Sequence, residues 1–321
     1  MATTTGGINE LYEDVIADLM PFYDNAVLLP NPGIIMNTFN ISGALGNTVR
    51  VPKMNAYGVA NVSISDGASI LQAQGTQGDF DPTSVSITVL KRGAGTYVSE
   101  ESLEDGGLAV VRNAVITRLS RSLAQSTDIA GFRIAFTGAE TALTDINQVS
   151  GIGMDGYANT ALPAGADLSL VMSPEALAYA VKREPVVKMF NDVDKDQYEM
   201  VATVRNGFVR VYADQIRGIA ASNVAGANAN ISATLDQFST SVANLRAANA
   251  PTDAAGFYIA VVTPVHELAL AKQLNQVGIS TGAVGALSDI GNQALLDGLI
   301  GQAVGCRFFR SNNLPRNLLT A

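Results

Sequence analysis

Tryptophan is absent from this 321-residue chain, and histidine and cysteine occur once each, as His266 and Cys306. One cysteine excludes an intrachain disulfide, and one histidine excludes a metal site built from several histidines. Charged residues make up only 15% of the chain, whereas about 25% is usual for soluble proteins. So little charge, together with 30 glycines, favours a surface that is largely covered, with other copies of the chain as one candidate cover.

Basic segments and long apolar runs are also lacking. The first residues, MATTTGGINELYEDV, contain neither, so no signal peptide is expected. No segment approaches the roughly 20 apolar residues of a membrane span, and we expect no membrane partner. The net charge of −9 argues against a dedicated DNA-binding protein, which normally presents a basic field. An ordinary acidic protein fits this charge equally well.

An arm of alternating residues leads into a long helix near the centre of the sequence. Val85, Ile87 and Val89 alternate with serine and threonine, which predicts a strand with one buried face, and residues 48–52 read as a second strand. The tip between them, residues 70–82, is polar and contains glycine. Because an isolated two-stranded ribbon is marginal in water, we predict that this arm lies on a neighbouring subunit.

The helix is predicted over residues 102–139. Ser102 supplies an N-cap signature, Gly138 supplies a stop, and Arg118 and Arg121 lie on the face opposite the apolar residues. The apolar positions recur at spacings of three and four: Leu108, Val111, Val115, Leu119 and Leu123. A single apolar stripe predicts a helix that braces a sheet.

The remaining sequence predicts further strands and helices, and hence an α+β fold. Strands are predicted at residues 168–172, 257–262 and 306–310, and helices at residues 8–20, 174–183, 235–245 and 293–300. Asn206-Gly207 predicts a tight hairpin turn, and residues 92–95 are predicted to be flexible. Pro174 and Pro264 each follow a strand and a hydroxyl residue, which predicts a repeated strand–helix unit.

Three features invite a chemical interpretation, and each has a simpler structural one. His266 is the one residue on which a Ser-His-Asp triad could be built, but its place in the first turn of a predicted helix favours a structural role. Residues 151–156 match GxGxxG without the preceding strand and following helix of a dinucleotide site, so a flexible loop is predicted. Residues 191–196 begin like a calcium loop, but Gln197 and Thr203 occupy the positions that require glycine and glutamate, so a solvated acidic loop is predicted.

Two further features give no chemistry. Cys306 stands in an apolar strand beside Phe308 and Phe309, which favours a buried, inert thiol. Residues 91–96 lack the spacing of a phosphate-binding loop. We therefore predict no catalytic, cofactor-binding or metal-binding residue, and we predict that the chain is not an enzyme.

Taken in order, these segments resemble the major capsid protein of tailed bacteriophages, with its Hong Kong 97-like fold. The resemblance lies in VRVPKMN, VSISDGASI and VSITVLKRGAGTYVSEESLED in the arm, DIAGFRIAFTG at the end of the helix, and the terminal GCRFFRSNNLP. It implies an N-terminal arm (residues 1–47), an extended β-hairpin loop (48–101) and a spine helix of a peripheral domain (102–139). Residues 140–300 are then mainly axial domain with peripheral-domain strands, and residues 301–321 a C-terminal peripheral strand and tail.

The resemblance also implies a function. It implies hexamers and pentamers that assemble into an icosahedral shell around double-stranded DNA, with non-specific contact to that DNA. It implies a scaffolding protein, a portal protein and a decoration or cement protein as partners, assembly in the host bacterial cytoplasm, and a place in the virion. Some relatives crosslink a loop lysine to an asparagine; residues 56–90 contain no lysine, and Lys53 and Lys91 are poor candidates, so no crosslink is expected.

Three alternatives stay open on the sequence. An encapsulin, a nanocompartment shell protein that packages a cargo enzyme, has the same fold. Another virion component, such as a tail or neck protein, would form rings or tubes. A soluble α/β enzyme would use residues 151–156 to bind a nucleotide.

Overall fold

A computed structural model describes residues 23, 26–31, 33–53, 83–102, 108–140, 151–155, 167–192, 195–221, 234–280 and 301–314. The helices predicted at residues 8–20 and 293–300 lie outside this part of the chain, as does the tip of the arm. The elements below are numbered in chain order.

The described strands form three sheets, named here the long sheet, the six-stranded sheet and the ribbon. The long sheet has the order β1 (Asn37–Asn40), β7 (Leu177–Asp192), β8 (Gln197–Arg210) and β4 (Leu90–Ser99). The six-stranded sheet has the order β11 (Gln302–Ala303), β12 (Cys306–Arg310), β10 (Tyr258–Val262), β6 (Asp167–Met172), β9 (Ile216–Ala221) and β5 (Gly153–Asp155). The ribbon pairs β2 (Thr48–Lys53) with β3 (Thr83–Thr88) in antiparallel register. The helices are α1 (Leu108–Thr137), α2 (Leu235–Ala247) and α3 (Pro264–Ser280).

Helix α1 braces the long sheet, as its apolar stripe predicts. Its buried residues Ile116, Leu119 and Leu123 share a core with Met200, Ala202 and Val204 of β8, while Arg118 and Arg121 are exposed. The helix ends where predicted, because Gly138 takes a left-handed conformation (φ 78°) and donates its N–H to the carbonyl of Ile134.

Gly131 of α1 lets another segment approach the helix closely. A Cβ at residue 131 would lie 2.4 Å from Cδ1 of Leu29. The segment that contains Leu29, Ile34 and Ile35 is buried against Phe132 and Phe136 of α1.

The predicted hairpin turn at Asn206-Gly207 is wrong, because β8 runs straight through both residues. Asn206 is buried, and its side chain donates to Thr127 Oγ1 at 3.1 Å and accepts from Arg92 Nε at 2.9 Å. At Gly207 a Cβ would lie 2.4 Å from the carbonyl oxygen of Thr88, so glycine admits the backbone of β3. The true turn between β7 and β8 includes Asp196 at φ 51°, within the predicted acidic loop.

The predicted helix at residues 174–183 is also wrong. After a turn closed by the N–H of Ala176 on the carbonyl of Ser173, the chain enters the sixteen-residue strand β7. Leu177 and Tyr179 pack into one core, while Ala178 and Ala180 pack beneath the ribbon on the other face. A strand that is apolar on both faces has no polar alternation to distinguish it from a buried helix.

Two further predictions fail in the long sheet. The repeated strand–helix unit does not exist, since Pro264 opens α3 whereas Pro174 leads into β7. Residues 92–95, predicted to be flexible, belong to β4 and pair with residues 201–204 of β8.

The six-stranded sheet confirms the strands predicted at residues 168–172, 257–262 and 306–310, and α2 confirms the helix predicted at residues 235–245. All five residues of β10 are buried. Helix α2 begins with a capping box in which Thr234 and Gln237 satisfy each other's backbone N–H groups, and it buries Phe238, Val242 and Leu245 against the sheet. Among the helices that the structure describes, none is both long and apolar enough to cross a membrane.

Candidate functional site

The single histidine forms a buried pair with a serine. His266 Nδ1 lies 2.5 Å from Ser169 Oγ, and these residues are 2% and 0% exposed. Thr263 Oγ1 accepts the backbone N–H of His266 at 3.4 Å. A nucleophile must reach its substrate, and neither side chain is open to solvent. The pair therefore fastens the first turn of α3 to β6, which is a structural role.

The glycine-rich match at residues 151–156 holds a short strand within the motif itself. Gly151 has φ 72°, and residues 153–155 form β5, which pairs in parallel with β9 at the edge of the six-stranded sheet. The prediction of a flexible loop is therefore wrong for these residues. The dinucleotide fingerprint follows a strand and opens a helix. Residues 153–155 instead form a strand within the motif, so the match is not that fingerprint.

The remaining candidate residues do not lie together in a way that would support a reaction. Burial raises the pKa of the Cys306 thiol to about 12, so the thiol stays protonated at neutral pH and is a weak nucleophile. Asp196 and Gln197 stand at the turn into β8. Within the described ranges, no group of three or more His, Cys, Asp or Glu residues is placed to hold a metal ion.

The base of the arm is anchored on the long sheet. Val51, Ile87 and Val89 are buried together with Ala178 and Ala180 of β7. Every residue of β2 pairs with one of β3, from Thr48 with Thr88 to Lys53 with Thr83. The connection between the two strands, residues 54–82, lies outside the described residues. The ribbon is thus a fixed stem for the predicted loop.

The structure describes both lysines at this base. Lys53 Nζ lies 5.6 Å from the centre of the Tyr212 ring, at the distance of a cation–π contact. Lys91 is exposed and stands beside Arg205 in the register of β4 and β8.

The strongest buried polar feature is Asp128 of α1, which sequence reasoning missed. Its carboxylate accepts the backbone N–H of Leu28 at 3.0 and 3.1 Å, the N–H of Leu29 at 3.1 Å, and Nδ2 of Asn313 at 3.3 Å. It thereby joins the N-terminal part of the described chain, α1 and the C-terminal segment. Burial raises the pKa of Asp128 to about 6, partly offset by these hydrogen bonds. An acid inside the apolar run DIAGF was the signal that could have found it.

A second buried network ties α1 to the long sheet. Thr127 Oγ1 accepts a hydrogen bond from the side-chain amide of Asn206 and lies 3.2 Å from the hydroxyl of Tyr23. Arg92 bonds to Asn206 and pairs with Glu140 at 2.5 Å. Burial raises the pKa of Tyr23 well above its usual range, so its hydroxyl stays neutral. This network fixes the positions of β4, β8 and α1 relative to one another.

Comparisons with known proteins find a likeness in structure only. No family model and no curated protein matches the chain. Among solved structures, the capsid of bacteriophage JBD30 matches with a TM-score of 0.51 and 11% identity, over 87% of this chain and 89% of that one. A procapsid of the same bacteriophage matches with a TM-score of 0.46 and 12% identity, over 83% and 90%. A virus-like particle from Pyrococcus furiosus matches with a TM-score of 0.41 and 10% identity, over 65% and 99%.

At 11% identity the comparison shows that the two proteins share a fold and nothing more. The chain has a mixed α+β fold of the kind found in the bacteriophage JBD30 capsid.

Proposed function

We propose that this chain is the major capsid protein of a tailed bacteriophage and that it has the Hong Kong 97-like fold. The observation that carries the proposal is the fold shared with the bacteriophage JBD30 capsid across nearly the full length of both chains. The anchored ribbon and the long bracing helix α1 support it, because the resemblance implies an extended loop at residues 48–101 and a spine helix at residues 102–139.

In this proposal the divisions of the chain are those expected from the resemblance. Residues 1–47 are an arm, residues 48–101 the extended loop, and residues 102–139 the spine helix. Residues 140–300 are mainly axial domain, and residues 301–321 return to the peripheral domain. The ribbon stem rests on its own subunit through Val51 and Ile87, so the loop beyond it is the part that reaches a neighbour.

The subunits assemble as hexamers and pentamers into an icosahedral shell that encloses double-stranded DNA in the virion. A scaffolding protein, a portal protein and a decoration protein take part, and assembly occurs in the host bacterial cytoplasm. The net charge of −9 suits a wall that touches DNA without binding it tightly. The chain performs no catalysis in this role.

The mass of the purified protein in solution tests the proposal. We expect capsomer-sized or larger assemblies by light scattering, and a strictly monomeric, compact species would contradict it. The encapsulin alternative is not favoured, because the bacteriophage JBD30 capsid matches with a TM-score above 0.5. Expression alone separates the two: an encapsulin closes into small uniform shells and copurifies with cargo, whereas a capsid protein without its scaffolding protein gives mixed or aberrant particles.

A further inference from the structure

The long sheet has an outer face that is only partly covered by its own chain. Helix α1 packs on the inner face through Ala202 and Val204. On the outer face, the ribbon covers the end near Ala178 and Ala180. Beyond the ribbon the outer face exposes 62% of Tyr97.

Three cations stand in one row across this outer face. Arg183 of β7, Arg205 of β8 and Lys91 of β4 are direct neighbours in register, so their side chains leave the sheet on the same side. Like charges directly opposite one another destabilise a sheet. An anionic partner would therefore stabilise this row of three cations.

The cation row is incompletely satisfied within the described part of the chain. Arg205 Nη2 donates to Asn47 Oδ1 at 2.8 Å, and Arg183 Nη2 donates to Thr203 Oγ1 at 3.1 Å. The Nε atoms of both arginines are buried and have no hydrogen-bond partner there. Both residues line a cleft of about 590 Å³ together with Lys182 and Glu184, and Glu184 forms no described ion pair with either arginine.

An acidic and aromatic row crosses the same face further along. Tyr97, Glu199 and Phe190 are direct neighbours on β4, β8 and β7, and Phe190 is 54% exposed. Glu199 is six residues from Arg205 on one strand, or about 20 Å at the rise of a strand. Two further acids, Glu100 and Asp196, adjoin this row through a backbone hydrogen bond between them.

The residues around the acidic and aromatic row carry more negative than positive charge. Lys188, exposed on the same face, and Lys195, at the adjoining turn, contribute two cations. Glu199, Glu100, Glu101 and Asp196 contribute four acids. Between the two rows, Gly93 and Gly95 carry no side chain and Val201 is half-buried, so a second backbone can approach this part of β4 closely.

We propose that the outer face of the long sheet binds a second copy of this chain, with the cation row of one copy against the acidic row of the other. The partner is identified by charge complementarity, since the same face carries both rows. The exposed rings of Tyr97 and Phe190 supply the apolar area that such a contact buries. This inference rests on the proposed function, because it names one surface through which capsid subunits meet.

Charge reversal in two separate variants tests the proposal. Arg205→Glu and Glu199→Arg each place like charges against each other between identical copies, and each lowers the assembled fraction at least tenfold, roughly the effect of losing one close interfacial charge pair. An equimolar mixture restores assembly, because R205E rows can then face E199R rows. Sedimentation of the assembled fraction gives the measurement, and circular dichroism verifies that each variant is folded.

The controls carry the same charge change away from this face. Arg121→Glu reverses an exposed cation on α1, and Asp214→Arg reverses an exposed acid in the turn before β9; both assemble like the wild type. Lys91→Glu replaces Arg205→Glu if the latter does not fold, since Lys91 is exposed.

The outcomes separate this inference from the proposed function. Normal assembly by the wild type and by both reversed variants would overturn this inference and leave the proposed function standing. Loss of assembly in each variant without recovery on mixing would assign the face to another occupant, such as residues 54–82 of the same chain, and would also overturn it. A wild type that never assembles would count against the proposed function and, with it, this inference.

Discussion

The carboxylate of Asp128 accepts the backbone N–H of Leu29 at 3.1 Å, across 99 residues of chain. Both residues are buried. This bond and those to Leu28 and Asn313 make one side chain the junction of three segments that are distant in sequence. Asp128 of α1 therefore helps to fix the position of the chain that leads into β1.

Replacing Asp128 with alanine should destabilise the subunit by about 2–4 kcal/mol, because two backbone N–H groups would be left buried without an acceptor. Chemical denaturation of the isolated subunit gives the measurement. Asp214→Ala is the matched control, since Asp214 is exposed, and its effect should stay within about 0.5 kcal/mol. Equal effects of the two substitutions would show that the junction at Asp128 contributes nothing.

The stability of the subunit should also depend on pH through Asp128. Burial raises the pKa of Asp128 in the folded chain to about 6 from an ordinary value of 3.8, so the folded state binds this proton more tightly than the unfolded state. The resulting stabilisation is fully present below pH 3.8 and is lost as the pH rises through about 6, a change on the order of 3 kcal/mol.

The measurement for this dependence is the free energy of unfolding between pH 4 and pH 7, compared between the wild type and Asp128→Asn. The difference between the two curves isolates Asp128 from the other carboxylates. The wild type should lose more stability than the variant as the pH rises. Parallel curves would contradict the pKa shift.

Gly131→Ala should destabilise the protein although alanine is the better helix former by about 1 kcal/mol. The added Cβ would lie 2.4 Å from Cδ1 of Leu29, and overpacking of this kind costs about 1–3 kcal/mol. Thermal unfolding measures the effect. In the Leu29→Ala background the same substitution should be much less harmful, because the clashing methyl group is gone. An identical cost in both backgrounds would show that the contact with Leu29 is not the cause.

Deleting residues 72–79, at the tip of the arm, should leave a folded subunit that fails to assemble. The stem of the arm is held by Val51 and Ile87 on its own sheet, so the tip is not needed to anchor it. Circular dichroism and thermal unfolding should match the wild type, while sedimentation should show loss of large particles. Loss of folding instead would mean that the tip belongs to the core of its own subunit.

The sequence was most informative where one face of an element is apolar and the other polar. The stripe through Leu119 and Leu123 predicted α1 and its packing, and Val85 and Ile87 predicted β3. It failed at β7, where Tyr179 and Ala180 are both buried on opposite faces, because such a strand carries the same apolar run as a buried helix.

The polar residues of the interior were harder to interpret than the apolar ones. Asn206 and Gly207 have the composition of a hairpin turn, yet one serves a buried network and the other admits the backbone of β3. The row of Arg183, Arg205 and Lys91 depends on strand register between residues far apart in the chain. Local sequence patterns do not reveal which residues of distant strands are paired, so the row could be found only from the structure.

Negative-stain electron microscopy of the purified protein, with the proposed scaffolding protein supplied, tests the central claim most directly. A capsid protein with this fold should give closed icosahedral shells built from six-fold and five-fold capsomers. A uniform population of compact monomers, or of open rings and tubes, would contradict the assignment.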